Sequence, residues 1–232
     1  MKMIGMLGGM SWESTAEYYR LANEAVRDRL GGMHSARLVV DSVDFADIEA
    51  LQVAGRWNEA GTMLADRAEA LEAAGAELIV LCTNTMHLVI GDIEERVSVP
   101  VLQIADAVAA PIREAGLTRV GLLGTAFTME QTFYSDRLAG HGIHTITPNA
   151  ADRAVVHRVI YDELVRGIVS EQSRAAYRDV IRRLVEAGAE GVILGCTEIE
   201  LLVTEDDSPV PVFPTTRLHV EAAVSAALAE PS

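Results

Sequence analysis

The segment LEAAGAELIVLCTNTM (71–86) returns later in the chain as LVEAGAEGVILGCTEI (184–199), with Gly195 as a single inserted residue. Two further pairs keep the same order: IGMLGGM (4–10) with VGLLGTA (120–126), and VPVL (99–102) with VPVF (210–213). The separations are 116, 113–114 and 111 residues. One match would mean little. Three in order, at nearly constant spacing, indicate a duplicated unit.

The repeated unit is of α/β type. KMIGML, ARLVVD, ELIVLC, PVLQI, RVGLLG, EGVILG and VPVFP are short apolar runs that read as buried parallel strands. Helical patterns lie between them. STAEYYRLANEAVRDRL starts with Ser14 and Thr15 as candidate caps and is closed by Gly31–Gly32, and NEAGTMLADRAEALEAAG follows further on. Strand–helix alternation predicts two pseudo-symmetric, Rossmann-like parallel-sheet domains with the active site in the cleft between them. The expected boundaries are 1–100 plus 215–232 for the first domain, whose closing helix is TTRLHVEAAVSAALAE, and 101–214 for the second.

With 232 residues, half of them apolar, the chain can bury a full core. Its formal charge of −15 would repel nucleic acid and anionic membrane, so neither is an expected partner. An anionic ligand would need a locally positive site. The N-terminal MKMIGMLGGM reads as a first strand rather than a signal peptide, and two cysteines make no disulfide framework. The cytoplasm is therefore the expected compartment.

Those cysteines, Cys82 and Cys196, each end an apolar strand and each precede a threonine. Strand ends of open α/β sheets deliver side chains to ligand clefts, so related halves would put one thiol on each side of a bound molecule. A pair of acid–base groups on opposite sides of one carbon suits racemisation, in which one takes a proton and the other returns one. A thiol ionises near about 8.5, within reach of a thiol/thiolate division of labour, and helices following each cysteine would favour the thiolate. Pyridoxal phosphate needs a lysine, and the single lysine, Lys2, lies before the first strand at the wrong end, so no cofactor is expected. Fixed hydrogen-bond donors must then stabilise the developing carbanion. Thr83, Asn84 and Thr85 follow the first cysteine and Thr197 the second, while Ser11 and Thr125 follow the first strand of each half.

Other readings of these residues are a buried structural cysteine, and a metal site made of Cys82, His87 and Cys196, which falls short of a zinc signature. No metal is expected. His141 and His144 fall in an expected loop, as solvated side chains. IGMLGGMS has G-x-x-G-G spacing rather than a dinucleotide fingerprint, and its glycines are expected to let backbone amides approach a small anion.

GGMSWEST (8–15), LCTNTMH (81–87) and GCTEIELL (195–202) resemble the aspartate/glutamate racemases, cofactor-independent amino-acid racemases, over essentially the whole chain. The resemblance implies Cys82 and Cys196 as the acid–base pair. It also implies substrate-holding roles for Met10, Ser11, Gln52, Thr83, Asn84, Thr85, Thr125 and Thr197, and a homodimer. Glu198, where glutamate racemases usually carry histidine, and GGMSWEST are similar to aspartate-type members. Arg166 in YDELVRG stands where some relatives have a substrate-binding lysine. The expected activity is interconversion of the enantiomers of aspartate, glutamate or both. The alternatives are a single-cysteine decarboxylase or maleate-type isomerase on the same scaffold, or a non-catalytic amino-acid sensor.

Overall fold

Strands that are apolar along their whole length must be covered on both faces. The chain meets this requirement twice. The computed structural model describes residues 1–229, and it divides into Met1–Gln103 with the segment from His219 onward, and Ile104–Leu218. In the first unit the strands are β1 (Ile4–Gly8), β2 (Leu38–Ser42), β3 (Leu78–Leu81) and β4 (Val101–Leu102), in the order β2-β1-β3-β4. In the second they are β5 (Arg119–Gly124), β6 (His144–Ile146), β7 (Gly191–Gly195) and β8 (Val212–Pro214), in the order β6-β5-β7-β8. All pairings are parallel. The fold is thus α/β with two four-stranded parallel sheets of the same topology.

The duplication extends to strand register. Ile4 lies opposite Leu78, and Val120 opposite Gly191; Ile79 lies opposite Val101, and Val192 opposite Val212. Each sheet separates its side chains by alternation. In the first unit Ile4, Met6, Leu78 and Val80 pack with Tyr18, Leu21, Val26, Val220 and Val224. On the other face Leu7, Ile79 and Leu81 pack with Leu64, Ala68 and Leu71. In the second unit Val192 and Leu194 meet Tyr177, Val180 and Leu184, while Val120, Leu122 and Ile193 meet Ile104, Val108 and Tyr134. Full burial of each large aliphatic side chain contributes about 1.5–3 kcal/mol.

Three local expectations change. The first helix, Trp12–Leu30, is capped by Ser11 rather than Ser14 or Thr15, because the Ser11 hydroxyl accepts the Ser14 N–H. His144 begins β6 instead of lying in a loop, and His141 is held against Asp106, its Nε2 2.8 Å from Oδ1, instead of being solvated. Only short helical pieces follow the cysteines: the 3-10 turn Thr85–Val89 and the five-residue helix Ile90–Glu94 after Cys82, and the four-residue helix Ile199–Leu202 after Cys196. Such short segments carry little dipole toward the sulfurs. No described helix is long and apolar enough to cross a membrane.

The first unit's core also holds a fully buried imidazole. His219 lies 3.0 Å through Nε2 from the Leu102 carbonyl and 2.9 Å through Nδ1 from the Tyr18 hydroxyl. A carbonyl only accepts, so Nε2 carries the proton and Nδ1 accepts from Tyr18. Burial, and then the neighbouring His87, lower the His219 pKa to about 3 from 6.5. Because the folded value is depressed, this stability is present above pH 6.5 and is lost as the pH falls toward 3. The effect is on the order of 5 kcal/mol. Urea midpoints measured from pH 7 downward should therefore fall, and His219→Phe should flatten that dependence.

Candidate active site

In a parallel sheet of order 2-1-3, the chain leaves the central strand toward opposite sides, and the carboxyl ends at that reversal form the natural binding crevice. In the first unit this point lies between β1 and β3, where the chain continues into Met10–Ser11 and Cys82–Thr85. In the second it lies between β5 and β7, which lead into Thr125 and Cys196–Glu198. Nearly every candidate residue read from the sequence thus falls at one of two equivalent places, one in each unit.

The loop after β1 is built around Thr15. Its hydroxyl accepts the Gly9 N–H at 2.8 Å and donates to the Ser11 carbonyl at 3.0 Å. A Cβ on Gly8 would lie 2.4 Å from the Thr15 methyl, so glycine is required for this approach. The Gly9 amide is therefore committed to the protein itself rather than presented to an anion. Ser11 pairs with Ser14, Oγ to Oγ, at 3.3 Å, and Thr125 with Thr128 at 3.2 Å. Thr125 also caps the next helix, Ala126–Glu130, by accepting the Thr128 N–H. The two loops repeat one design with a serine pair in one unit and a threonine pair in the other.

Gln52 reaches the first half-site from the helix Phe45–Val53, after β2. Its Nε2 lies 3.0 Å from the Met86 sulfur, in the turn following Cys82, and its buried Oε1 has no partner among the described residues. A thioether sulfur only accepts, so Nε2 is the end that faces it and Oε1 is the uncommitted end. The hydroxyls of Thr83 and Thr197, the residue after each cysteine, likewise make no hydrogen bond among the described residues. Asn84 and Thr85 follow Thr83 and are buried, Glu198 is buried next to Thr197, and Met10 is buried next to Ser11. Arg166 is different. It is exposed, in the turn Leu164–Arg166 closed by Gly167, and its guanidinium makes no ion pair among the described residues.

The two thiols are not in identical settings. Cys82 N–H donates to the Leu7 carbonyl at 2.9 Å, which makes Cys82 the continuation of the β3 ladder. In the second unit that ladder position is taken by Gly195, paired with Gly124, and Cys196 comes one residue later. A shift of one residue turns a side chain to the other face of a sheet. Accordingly Cys82 packs on the face of Leu78 and Val80, with Tyr18 and Val220. Cys196 packs on the face of Val192 and Leu194, with Tyr177 and Met129.

Both cysteines are free and buried, and burial pushes both thiols up from the ordinary value of 9.0. Cys196 is raised further by Glu198, whose Oε2 accepts its S–H at 2.9 Å. Burial and Glu198 thus oppose ionisation of the thiols, against the expectation that the following helices would favour the thiolate. Among the described residues, no three His, Cys, Asp or Glu side chains converge as a metal ion requires.

Sequence reasoning missed Thr128 and His157, and read Thr15 only as a candidate cap rather than as the anchor of the loop after β1. The His157 Nδ1 accepts the Ala126 N–H at 3.1 Å and so fixes the loop after β5. The only local signal was the spacing of hydroxyl residues after Ser11 and Thr125.

The chain is 53% identical to a candidate Asp/Glu racemase of known structure from Yersinia pestis, with 99% of this chain and 100% of that one covered and a TM-score of 0.93. It is 36% identical to an aspartate racemase homologue from Pyrococcus horikoshii, over 98% of this chain and 99% of that one, with a TM-score of 0.86. The broad specificity amino-acid racemase RacX of Bacillus subtilis is 24% identical over 98% of this chain and 99% of its own length. With residues 7–223 matching the Asp/Glu/hydantoin racemase family, the chain belongs to that family and is an isomerase.

Proposed function

We propose that this chain interconverts the L- and D-forms of a small acidic amino acid, aspartate, glutamate or both, without a cofactor. The observation that carries the reading is the delivery of one cysteine, followed by one uncommitted threonine hydroxyl, to the crevice end of each sheet. One sulfur, as thiolate, takes the α-proton; the C–H electron pair passes onto the α-carboxylate; the opposite S–H then protonates the other face. The reaction ends with the two sulfurs' roles exchanged, so the reverse direction uses the same machinery.

Raised thiol pKa values fit this chemistry in one respect and oppose it in another. A thiolate formed from a reluctant thiol is a stronger base, which helps with a weakly acidic C–H. Forming it costs more, so the substrate must assist. A bound α-ammonium group would stabilise a nearby thiolate. Glu198, which already accepts the Cys196 S–H, is a group able to receive that proton. Gln52 Oε1, without a partner, is an acceptor suited to the ammonium group. The hydroxyls of Thr83 and Thr197, with Ser11, Asn84, Thr85 and Thr125, would supply donors to the α-carboxylate as negative charge grows on it. Met10 would line the site, and Arg166 would meet the distal carboxylate and offset the chain's acidity.

Lys2, the only lysine, precedes β1 and so lies at the amino end of the sheet, which supports a mechanism without pyridoxal phosphate. The active species in this reading is a cytoplasmic homodimer. The test is chiral chromatography of L-aspartate and L-glutamate incubated with purified protein and no added cofactor. Appearance of the D-form supports the proposal. Release of carbon dioxide from a malonate, formation of fumarate from maleate, or binding with no conversion would favour an alternative.

A further inference from the structure

His87 is the buried titratable residue next to the candidate site that the proposed chemistry leaves unused. Its Nδ1 lies 2.8 Å from the Thr83 carbonyl, and because a carbonyl only accepts, His87 is the Nδ1–H donor. Thr83 is the residue immediately after Cys82, and its own N–H folds back to the Leu81 carbonyl at 2.8 Å. The main chain around Cys82 is thus tied at three points: Cys82 N–H to Leu7, Thr83 N–H to Leu81, and Thr83 C=O to His87.

Behind His87 stands His219, with ring centroids 5.7 Å apart and planes at 64°. Tyr18 meets His219 edge-on, at 5.8 Å and 89°. The Tyr18 hydroxyl and the Leu102 carbonyl saturate both nitrogens of His219 and fix its ring. The network joins four segments: the helix that Ser11 caps, the turn after Cys82, the end of β4 and the final helix Thr215–Leu228. Tyr18 also packs in the same cluster as Cys82. A core that needed only volume would use apolar side chains here. Three polar groups with directed hydrogen bonds fix orientation as well.

We infer that His87 is a positioning residue for Cys82, holding the Cys82–Thr83 main chain through the Thr83 carbonyl, with His219 and Tyr18 as its buttress. The inference rests on the racemase reading given above. It concerns alignment of the sulfur with the α-carbon rather than substrate affinity, and a misplacement of about 1 Å can cost on the order of 100-fold in rate.

The experiment compares wild type, H87L and H87N in steady-state racemisation, with α-deuterated L and D substrates run separately. The inference expects kcat of H87L to fall by about tenfold or more with KM changed less than about twofold. H87N, which keeps a donor near the Nδ1 position, should recover most of the loss. The α-deuterium isotope effect of H87L should rise for one enantiomer, the one that Cys82 deprotonates, and not for the other. A merely structural role would not produce that asymmetry. If H87L does not fold, Y18F decides, since removing one hydroxyl leaves the pocket intact: a fall in kcat at constant KM supports the inference, and unchanged kinetics overturn it. H87L kinetics within twofold of wild type, or H87N no better than H87L, also overturn it. Absence of racemisation in the wild type would instead defeat the underlying functional reading.

Discussion

Replacing Cys82 by alanine is expected to abolish racemisation in both directions, and replacing Cys196 is expected to do the same. In a two-base mechanism each turnover uses both sulfurs, one to accept a proton and one to donate it. Loss of either should cost at least about 10³-fold in kcat, within the range of positioned acid–base groups. The double variant should be little worse than either single one, because residues acting as a unit are not additive. The structural cost is small by comparison, since each side chain is one buried sulfur in a large core. Circular dichroism and urea midpoints near those of wild type would confirm that chemistry, not folding, was lost. A single variant keeping near-normal turnover would refute the two-base assignment.

Gly9→Ala is expected to produce the largest loss of stability. Gly9 has φ +92, and a Cβ there would lie 2.2 Å from the Val43 carbonyl oxygen and 2.5 Å from the Val43 nitrogen. Both are backbone atoms, and the Val43 N–H is bonded to the Gly8 carbonyl, so they cannot withdraw without breaking the chain's contact with β1. Positive-φ strain and the clash add together, at about 3 kcal/mol or more. Gly167→Ala is the control, with φ +71 and ψ 15 in the ordinary left-handed region and nothing within 4 Å of its Cβ, and it should cost only about 1 kcal/mol. Urea unfolding of the two variants separates strain from collision. Since the Gly9 N–H also bonds Thr15, the Gly9 change should disturb the Ser11 loop as well, and so reduce activity in whatever protein remains folded.

How much of this was legible beforehand follows from which interactions are local. The strands that were found are continuous apolar runs, and the duplication gave their order twice over. β6 was missed because His144–Ile146 is three residues long, largely polar and at the sheet edge. Ser11 was passed over as a cap because Ser14 and Thr15 compete for the same signal and the intervening residue is Trp12. The glycines of IGMLGGM were read as letting backbone amides approach a small anion; in the fold Gly8 is closely approached by Thr15 and Gly9 by Val43. The Cys-Thr sites themselves were readable as repeat partners. Their environments were not. Gly195 was visible as an insertion, yet its effect, turning Cys196 to the opposite face from Cys82, depends on ladder register. Thiol pKa values were misjudged for the same reason, since burial and Glu198 act through space. The His87–His219–Tyr18 network joins residues up to 201 apart in sequence and left no local trace.

The most direct test of the central claim is proton exchange at the α-carbon, followed by NMR in heavy water with purified protein and no pyridoxal phosphate. Wild type should incorporate deuterium from solvent into the enantiomer it produces, and C82A and C196A should each stop interconversion. Absence of exchange with aspartate, glutamate and a panel of other amino acids, or interconversion that persists without one of the cysteines, would contradict it.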